Sequence, residues 1–408
     1  MTILLINHYA GGPPFGMEHR PFYMAREWVR RGHDVTILAA TQSHLRTRNP
    51  EPGDMHLEGI HYRFLETPAY QGNGLGRVRN MLAFVAGLTR DADRLAAELK
   101  PDAVIASSTY PLDMYPARRI ARLARKHGAK GRLLFEVHDL WPLSPKELGN
   151  MSSWHPFIMG MQKAENDAYR AADRVVSMLP KAEAHMRAHG MAPEKFAYVP
   201  NGIDVQEWEA ATEPLPETHR EALAKLREEG RFIVLYAGSH GLANALQYLI
   251  DAAPRLGDAP ITLVLVGQGP DKDALQSRAR GMDNVLFLPP VPKGAIPALL
   301  DATDALFLGW NRVPLYRFGI SPNKLMDYMM AAKPVIHSVE AGNDPVAESG
   351  CGFTVAPEDP EAIAQAILRM RDLSPEEREA MGARGRAFVR EHHDYRVLAR
   401  LFLEVMEA

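Results

Sequence analysis

Gly319-Ile-Ser-Pro-Asn-Lys-Leu-Met-Asp-Tyr-Met-Met-Ala-Ala-Lys-Pro-Val-Ile336 is the stretch from which the fold can be read. A glycine-containing loop leads into a capped helix start, one short helix follows, and the chain then enters a buried apolar strand. Ser321 is a natural N-cap, and Pro322 fits the first helical position, where a missing N–H costs nothing. The N–H groups of Asn323, Lys324 and Leu325 then point out of the helix start with the positive end of its dipole behind them. That is a site for an anion, and Lys324 adds a full charge to it. Asp327 lies one turn further on, within reach of a sugar diol. Read together, these residues suit a diphosphate with a ribose beside it. An ordinary capped helix with a solvated lysine and aspartate fits the same residues.

The helix-then-strand pattern recurs in both directions from this segment. Upstream in the second half, Phe232-Ile-Val-Leu-Tyr-Ala, Thr262-Leu-Val-Leu-Val, Val285-Leu-Phe-Leu and Ala305-Leu-Phe-Leu are apolar runs of strand length. In the first half the same reading gives Ile3-Leu-Leu-Ile-Asn, Asp34-Val-Thr-Ile-Leu-Ala, Ala103-Val-Ile-Ala, Arg132-Leu-Leu-Phe-Glu-Val and Arg174-Val-Val-Ser-Met. Amphipathic stretches such as residues 20–31, 78–99 and 116–127 lie between them. Strands alternating with helices predict parallel sheets with crossover helices, here two doubly wound α/β units. A segment rich in Pro, Glu and Thr, residues 204–226, reads as a linker with a leading helix. A last long helical stretch covers about residues 375–407.

Length and composition set the same bounds. A chain of 408 residues has room for two or three domains with cores of their own. Hydrophobic content of 46% and charged content of 24% are those of a soluble globular protein. No run of 18 or more apolar residues occurs, and the chain opens on a strand without a charged-then-apolar leader. Cys351 is the single cysteine, so no intrachain disulfide can form and a reducing, cytoplasmic setting is expected. Residues 1–203 carry 26 lysines and arginines against 20 acids, residues 204–408 carry 21 against 30. The basic first half therefore suits an anionic surface, such as a phospholipid face or a lipid-linked diphosphate, and a merely solvated surface is the alternative. No basic run is interleaved with aromatics, which speaks against nucleic acid.

The segment at Ser321 resembles the donor-site signature of retaining glycosyltransferases of family 4, in the branch that includes the N-acetyl-fucosamine transferases of O-antigen and capsule synthesis. Four further blocks match in the family's order: Ile3-Leu-Leu-Ile-Asn-His-Tyr-Ala-Gly-Gly-Pro-Pro14, Glu136-Val-His-Asp-Leu-Trp-Pro142, Val199-Pro-Asn-Gly-Ile-Asp204 and Leu235-Tyr-Ala-Gly-Ser-His-Gly-Leu-Ala243. The resemblance implies the GT-B fold: a Rossmann-like acceptor-side domain over 1–203, a donor-binding domain over 204–387, a C-terminal helix from about 388 to 408 crossing back to the first domain, and an active site in the interdomain cleft. It implies a nucleotide-sugar co-substrate, expected to be UDP-linked, with no cofactor, and a sugar or polyprenyl-diphosphate-linked saccharide as acceptor. His138 is then a sugar contact, with Asp139 orienting it or binding the acceptor, and Lys324 serves the leaving diphosphate. The donor-binding set is Gly11, Gly12, Ser239, His240, Asn244, Val291, Arg312, Ser321, Pro322, Asn323 and Asp327.

Two departures from the family's main pattern bear on the donor. Where many members place an Arg after the glycine and a Lys several residues later, this chain has Ser239, His240 and Asn244, so Lys324, Arg312, Arg317 and the helix dipole are expected to supply the positive charge. The carboxylate pair usually separated by seven residues keeps only its later member, Asp327, because Gly319 stands at the other position. A deoxy or N-acetylated sugar is therefore expected. Retention without an enzyme nucleophile implies same-face substitution, which needs electrostatic stabilisation and positioning; the two-carboxylate glycosidase scheme is the alternative. Asp91-Ala-Asp93 falls in a helical run, and no His/Cys cluster has zinc spacing, so no metal is expected. Arg118, Arg119, Arg122, Arg125, Lys126, Lys130 and Arg132, with the Met-rich residues 151–161, suit docking on an anionic bilayer, or a helix face and core. An epimerase of nucleotide sugars and a non-catalytic sugar-nucleotide binder remain the rival functions.

Overall fold

The computed structural model describes residues 1–16, 20–72 and 74–408. Two compact units divide the chain. The first comprises Met1–Asn201 and Tyr395–Ala408, the second Gly202–Asp394. The first is built on β1 (Thr2–Ile6), β2 (Asp34–Ala40), β3 (Gly53–Leu57), β4 (Ile60–Leu65), β5 (Ala103–Ala106), β6 (Arg132–Val137), β7 (Arg174–Ser177) and β8 (Phe196–Tyr198). Their order is β3-β4-β2-β1-β5-β6-β7-β8, parallel throughout except for the β3–β4 hairpin. The second unit contains β9 (Phe232–Ala237), β10 (Ile261–Val266), β11 (Val285–Leu288), β12 (Ala305–Gly309), β13 (Val335–Ser338) and β14 (Gly352–Val355). They run in the order β11-β10-β9-β12-β13-β14, all parallel, the strand order of a dinucleotide-binding sheet.

The central strands are fully buried apolar runs, because helices cover both faces of each parallel sheet. β9, β10 and β12 are buried at every residue. Parallel strands also place all their carboxyl ends along one edge. In the sheet of the first unit the loops after β1 and β6 emerge at that edge and carry Gly11 and Gly12, and His138 and Asp139; in the separate sheet of the second unit the loops after β9, β11 and β12 emerge at its own such edge and carry residues 238–245, Val291 and Arg312.

Two expectations about the connecting segments need correction. The C-terminal helical stretch is two helices, Pro375–His392 and Tyr395–Glu407, and the division between units falls in the break. The first is opened by a full capping box, Ser374 with Glu377, and belongs to the second unit. The other lays Leu398, Ala399, Phe402 and Met406 into the first unit's core. There Trp28 meets Phe402 edge-on at 5.3 Å and donates its indole N–H to Ala399 O at 3.1 Å. Residues 204–226 are not a linker. Asp204 caps a short helix, Val205–Ala210, by accepting from Glu207 N, and Val205 and Leu223 are buried in the second unit's core.

Candidate functional site

In the second unit, the helix Asn323–Met330 follows a loop pinned on both sides by Asn343, whose amide exchanges hydrogen bonds with Ile320 N and O. The helix begins one residue later than Ser321 as N-cap predicts. Pro322 occupies the N-cap in extended conformation and, having no polar side chain, makes no side-chain cap bond itself. Lys324, on that first turn, reaches the carboxyl end of β9. Its Nζ donates to Tyr236 Oη at 2.6 Å and to Asn244 Oδ1 at 2.9 Å. Tyr236 passes its own proton to Ser239 O, and Asn244 Nδ2 donates to the same carbonyl. Gly238 makes room for this, since a Cβ there, at φ +150°, would stand 2.6 Å from Lys324 Cε. Tyr328, four residues along the helix, fixes the strand end by accepting from Ala237 N and donating to Ala237 O.

Burial lowers the Lys324 pKa to about 8, against the pull of Asp327. Burial pushes the Asp327 carboxyl up to about 7, and the charges of Lys293 and Lys324 only partly offset this. Lys324 retains one N–H beyond its two partners, and Asp327 makes no side-chain hydrogen bond among the described residues. The pair is thus a strained cation and a poised carboxyl at a strand-end loop.

Other members of the expected donor set lie elsewhere or serve the scaffold. The Arg312 guanidinium is in an ion pair with Glu340 at 2.6 Å, so its charge is already matched. His240 is completely buried against Phe287 and Tyr236, with both ring nitrogens unpartnered, and burial with Lys272 and Lys324 nearby drops its pKa to about 4. It is a neutral wedge under the loop, not an exposed donor contact. Ser239 and Asn323 are exposed, and Val291 is half-buried against the core after β11. Gly319 adopts φ +113°, a conformation closed to most side chains, which accounts for the missing carboxylate.

In the first unit, His138 leaves the end of β6 with its Nε2 at 2.9 Å from Ser107 Oγ and 3.3 Å from Glu136 Oε2. Ser107 donates its hydroxyl hydrogen bond to Glu136 at 2.6 Å, so Nε2 is the nitrogen that donates to Ser107 Oγ. Burial works against the Glu136 charge, but Arg20 at 2.7 Å, His138 and Ser107 outweigh it and hold the carboxyl well below the usual range. Arg20 also donates to Val199 O and Pro200 O, tying the Val199–Asp204 block to β6. Glu136 and Ser107, rather than Asp139, therefore orient the imidazole, and Asp139 is exposed. Sequence reading missed Ser107, Arg20 and Tyr236. The signal was a serine at the end of β5 and a glutamate inside the apolar run of β6. Gly11 and Gly12 are buried: Tyr62 Oη donates to Gly11 O, and a Cβ on Gly12 would meet Leu57 at 2.7 Å. Packing within the unit explains Gly12.

Asp91 and Asp93 lie on the helix Leu75–Leu99 and are matched by Arg90, Arg94 and Arg119. Of the basic run, Arg118, Arg122, Lys126 and Lys130 are exposed, and no ion pair involves them among the described residues. The Met-rich segment divides: Ile158 and Met161 enter the core, whereas Trp154 is 83% and Met159 52% exposed. Cys351 is buried, and burial raises its thiol to about 11.

Residues 15–202 match the Glycosyl transferase 4-like domain, and residues 231–372 the domain of Glycosyl transferases group 1. The chain thus carries both glycosyltransferase domains in this order. It is 28% identical over 184 residues to a putative colanic acid biosynthesis glycosyl transferase of Escherichia coli (strain K12); that match covers 44% of this chain and 44% of the relative. Among solved structures, sucrose-phosphate synthase from Thermosynechococcus elongatus superposes with a TM-score of 0.71 at 18% identity, over 100% of this chain and 98% of that one. Anabaena HepE in complex with UDP-glucose does so with a TM-score of 0.64 at 16% identity, over 99% of each. The fold is GT-B, with two Rossmann-like α/β domains.

Proposed function

We propose that the chain is a retaining glycosyltransferase that takes a deoxy or N-acetylated hexose from a UDP-linked donor and passes it to a sugar or polyprenyl-diphosphate-linked saccharide in bacterial surface polysaccharide synthesis. The observation that carries this reading is the cluster at the end of β9. Lys324 is held there by Tyr236 and Asn244 on the first turn of a helix, and Asp327, one turn on, makes no side-chain hydrogen bond among the described residues. A cation at a helix N-terminus fits a diphosphate, and a carboxyl fits a ribose diol. The UDP-glucose bound by HepE and the colanic acid assignment of the E. coli relative support donor class and pathway.

In this reading the sugar–phosphate bond breaks toward the Lys324 cluster, which stabilises the departing diphosphate. A diphosphate oxygen takes the proton of the incoming hydroxyl as the new bond forms on the same face. No protein nucleophile is needed, and the protein acts by positioning and charge. His138 is assigned to a hydroxyl of the transferred sugar. No metal takes part in the transfer. The exposed Trp154, Met159 and Leu148, with the unmatched cations of the helix Met114–Lys126, make the first unit a candidate for peripheral docking on the inner, anionic membrane face.

Incubation with a panel of UDP-sugars and saccharide acceptors tests the reading. A transferred product with the donor's anomeric configuration supports it. An epimerised donor would replace it with an epimerase, and binding without turnover would replace it with a sugar-nucleotide sensor.

A further inference from the structure

A cluster outside the donor residues brings together three groups that the sequence spaces too irregularly to reveal. Glu165 lies on the buried face of the helix Pro156–Ala171, His185 on the helix Glu183–Ala188, and His189 directly after it, four residues from His185. One ligand atom from each lies within 4.8 Å of the other two. Glu165 Oε1 stands 3.2 Å from His185 Nε2, and the two imidazoles are 4.2 Å apart between centroids.

The surroundings orient these groups as a metal's outer shell would. His189 Nδ1 lies 2.9 Å from the carbonyl oxygen of His185. A carbonyl only accepts, so Nδ1 carries the proton and Nε2 keeps its lone pair. Tyr169 donates to Glu165 Oε1 at 3.0 Å and Gln162 to Oε2 at 2.6 Å, fixing the carboxylate. Glu165 is 1% exposed, yet among the described residues no lysine or arginine pairs with it. A buried carboxylate without a permanent cation is costly, and a divalent ion removes that cost. Metal–ligand bonds of 2.0–2.2 Å in a tetrahedron put neighbouring ligand atoms about 3.3 Å apart, close to the Glu165–His185 separation. Two imidazoles and one carboxylate favour zinc or cobalt over magnesium or calcium.

We propose that Glu165, His185 and His189 bind one divalent transition-metal ion, zinc foremost, which staples the helix Pro156–Ala171 to the helix Glu183–Ala188 and leaves a fourth position for water. The site is structural and independent of the donor reading.

Cobalt(II) chloride titrated into the chelator-stripped full chain reports both stoichiometry and geometry. The expected result is one equivalent bound with visible bands of tetrahedral intensity, bleached by zinc chloride, and a Tm that rises with zinc. His189→Gln and Glu165→Gln are each expected to weaken binding at least tenfold, while His127→Gln, at an exposed histidine, leaves it unchanged. His189 is partly exposed, so its variant keeps the test valid if Glu165→Gln fails to fold. Absence of the bands, or binding unchanged in His189→Gln, overturns the proposal.

Discussion

Lys324 and Asp327, one helical turn apart, are both held away from their ordinary charge states, and each has a consequence that can be measured. Lys324 is charged below about pH 8 and loses its proton above it. UDP affinity should fall as pH rises from 7 to 10, with a midpoint somewhat above 8 because bound diphosphate favours the charged form. In Lys324→Ala, calorimetry at pH 7 should show a loss on the order of 1.5–3 kcal/mol, and the two proteins should converge at high pH. Affinity equal to wild type at pH 7 would remove Lys324 from the site. For Asp327 the sign runs the other way. Its folded pKa, about 7, lies above its ordinary 3.8, so the folded state binds the extra proton and stability declines as pH climbs between those values. Asp327→Asn should therefore stabilise the nucleotide-free protein at pH 8, by up to a few kcal/mol, and make no difference at pH 3.5. His138→Ala should lower turnover by about 10²–10³-fold with UDP affinity unchanged. A melting-temperature drop with normal turnover per folded molecule would make it a core residue instead.

At the scale of elements, the helix Tyr395–Glu407 is joined to the first unit mainly by apolar contact. Phe402→Ala should cost about 3–5 kcal/mol, read as a lower denaturant midpoint. Little change would mean that the helix is an accessory. The elements legible in the sequence were those with a continuous apolar run: β1, β2, β5 to β7 and β9 to β13 all have one, because both faces of a central parallel strand are covered. β3, β4, β8 and β14 were not legible. β4 alternates Ile60, Tyr62 and Phe64 inward with His61, Arg63 and Leu65 half-exposed, and β3 at the sheet edge is mostly solvent-facing. β8 has three residues, and β14 is a half-exposed edge. The helix break at His393–Asp394 was hidden for a different reason: no glycine or proline marks it. The site was legible where chemistry is local, as in the 321–327 block. It was opaque where partners come from elements distant in the sequence, as with Ser107 and Arg20 around Glu136, or Tyr236 under Lys324. It misled where a polar side chain turned inward, as His240 does.

On the scale of the whole molecule, net positive charge and exposed large apolar side chains gather on the first unit. If that unit meets a membrane, the chain should co-sediment with vesicles rich in anionic lipid and not with neutral ones, less so at high salt and less so after Trp154→Ala. Equal binding to both vesicle types would argue for a solvated surface. Among the described residues no helix is long and apolar enough to cross a bilayer. The division of the chain has a further consequence. Polypeptide passes from the first unit to the second after Asn201 and returns after Asp394, so the second unit is one unbroken piece and the first is not. During synthesis the second unit can close on itself as soon as it clears the ribosome, while the first waits with Trp28 and Tyr23 uncovered. The domain translated first is completed last. A pause or truncation before residue 395 would leave an intact second unit attached to an unfinished, aggregation-prone partner, and nascent-chain proteolysis would find the N-terminal half the more sensitive of the two.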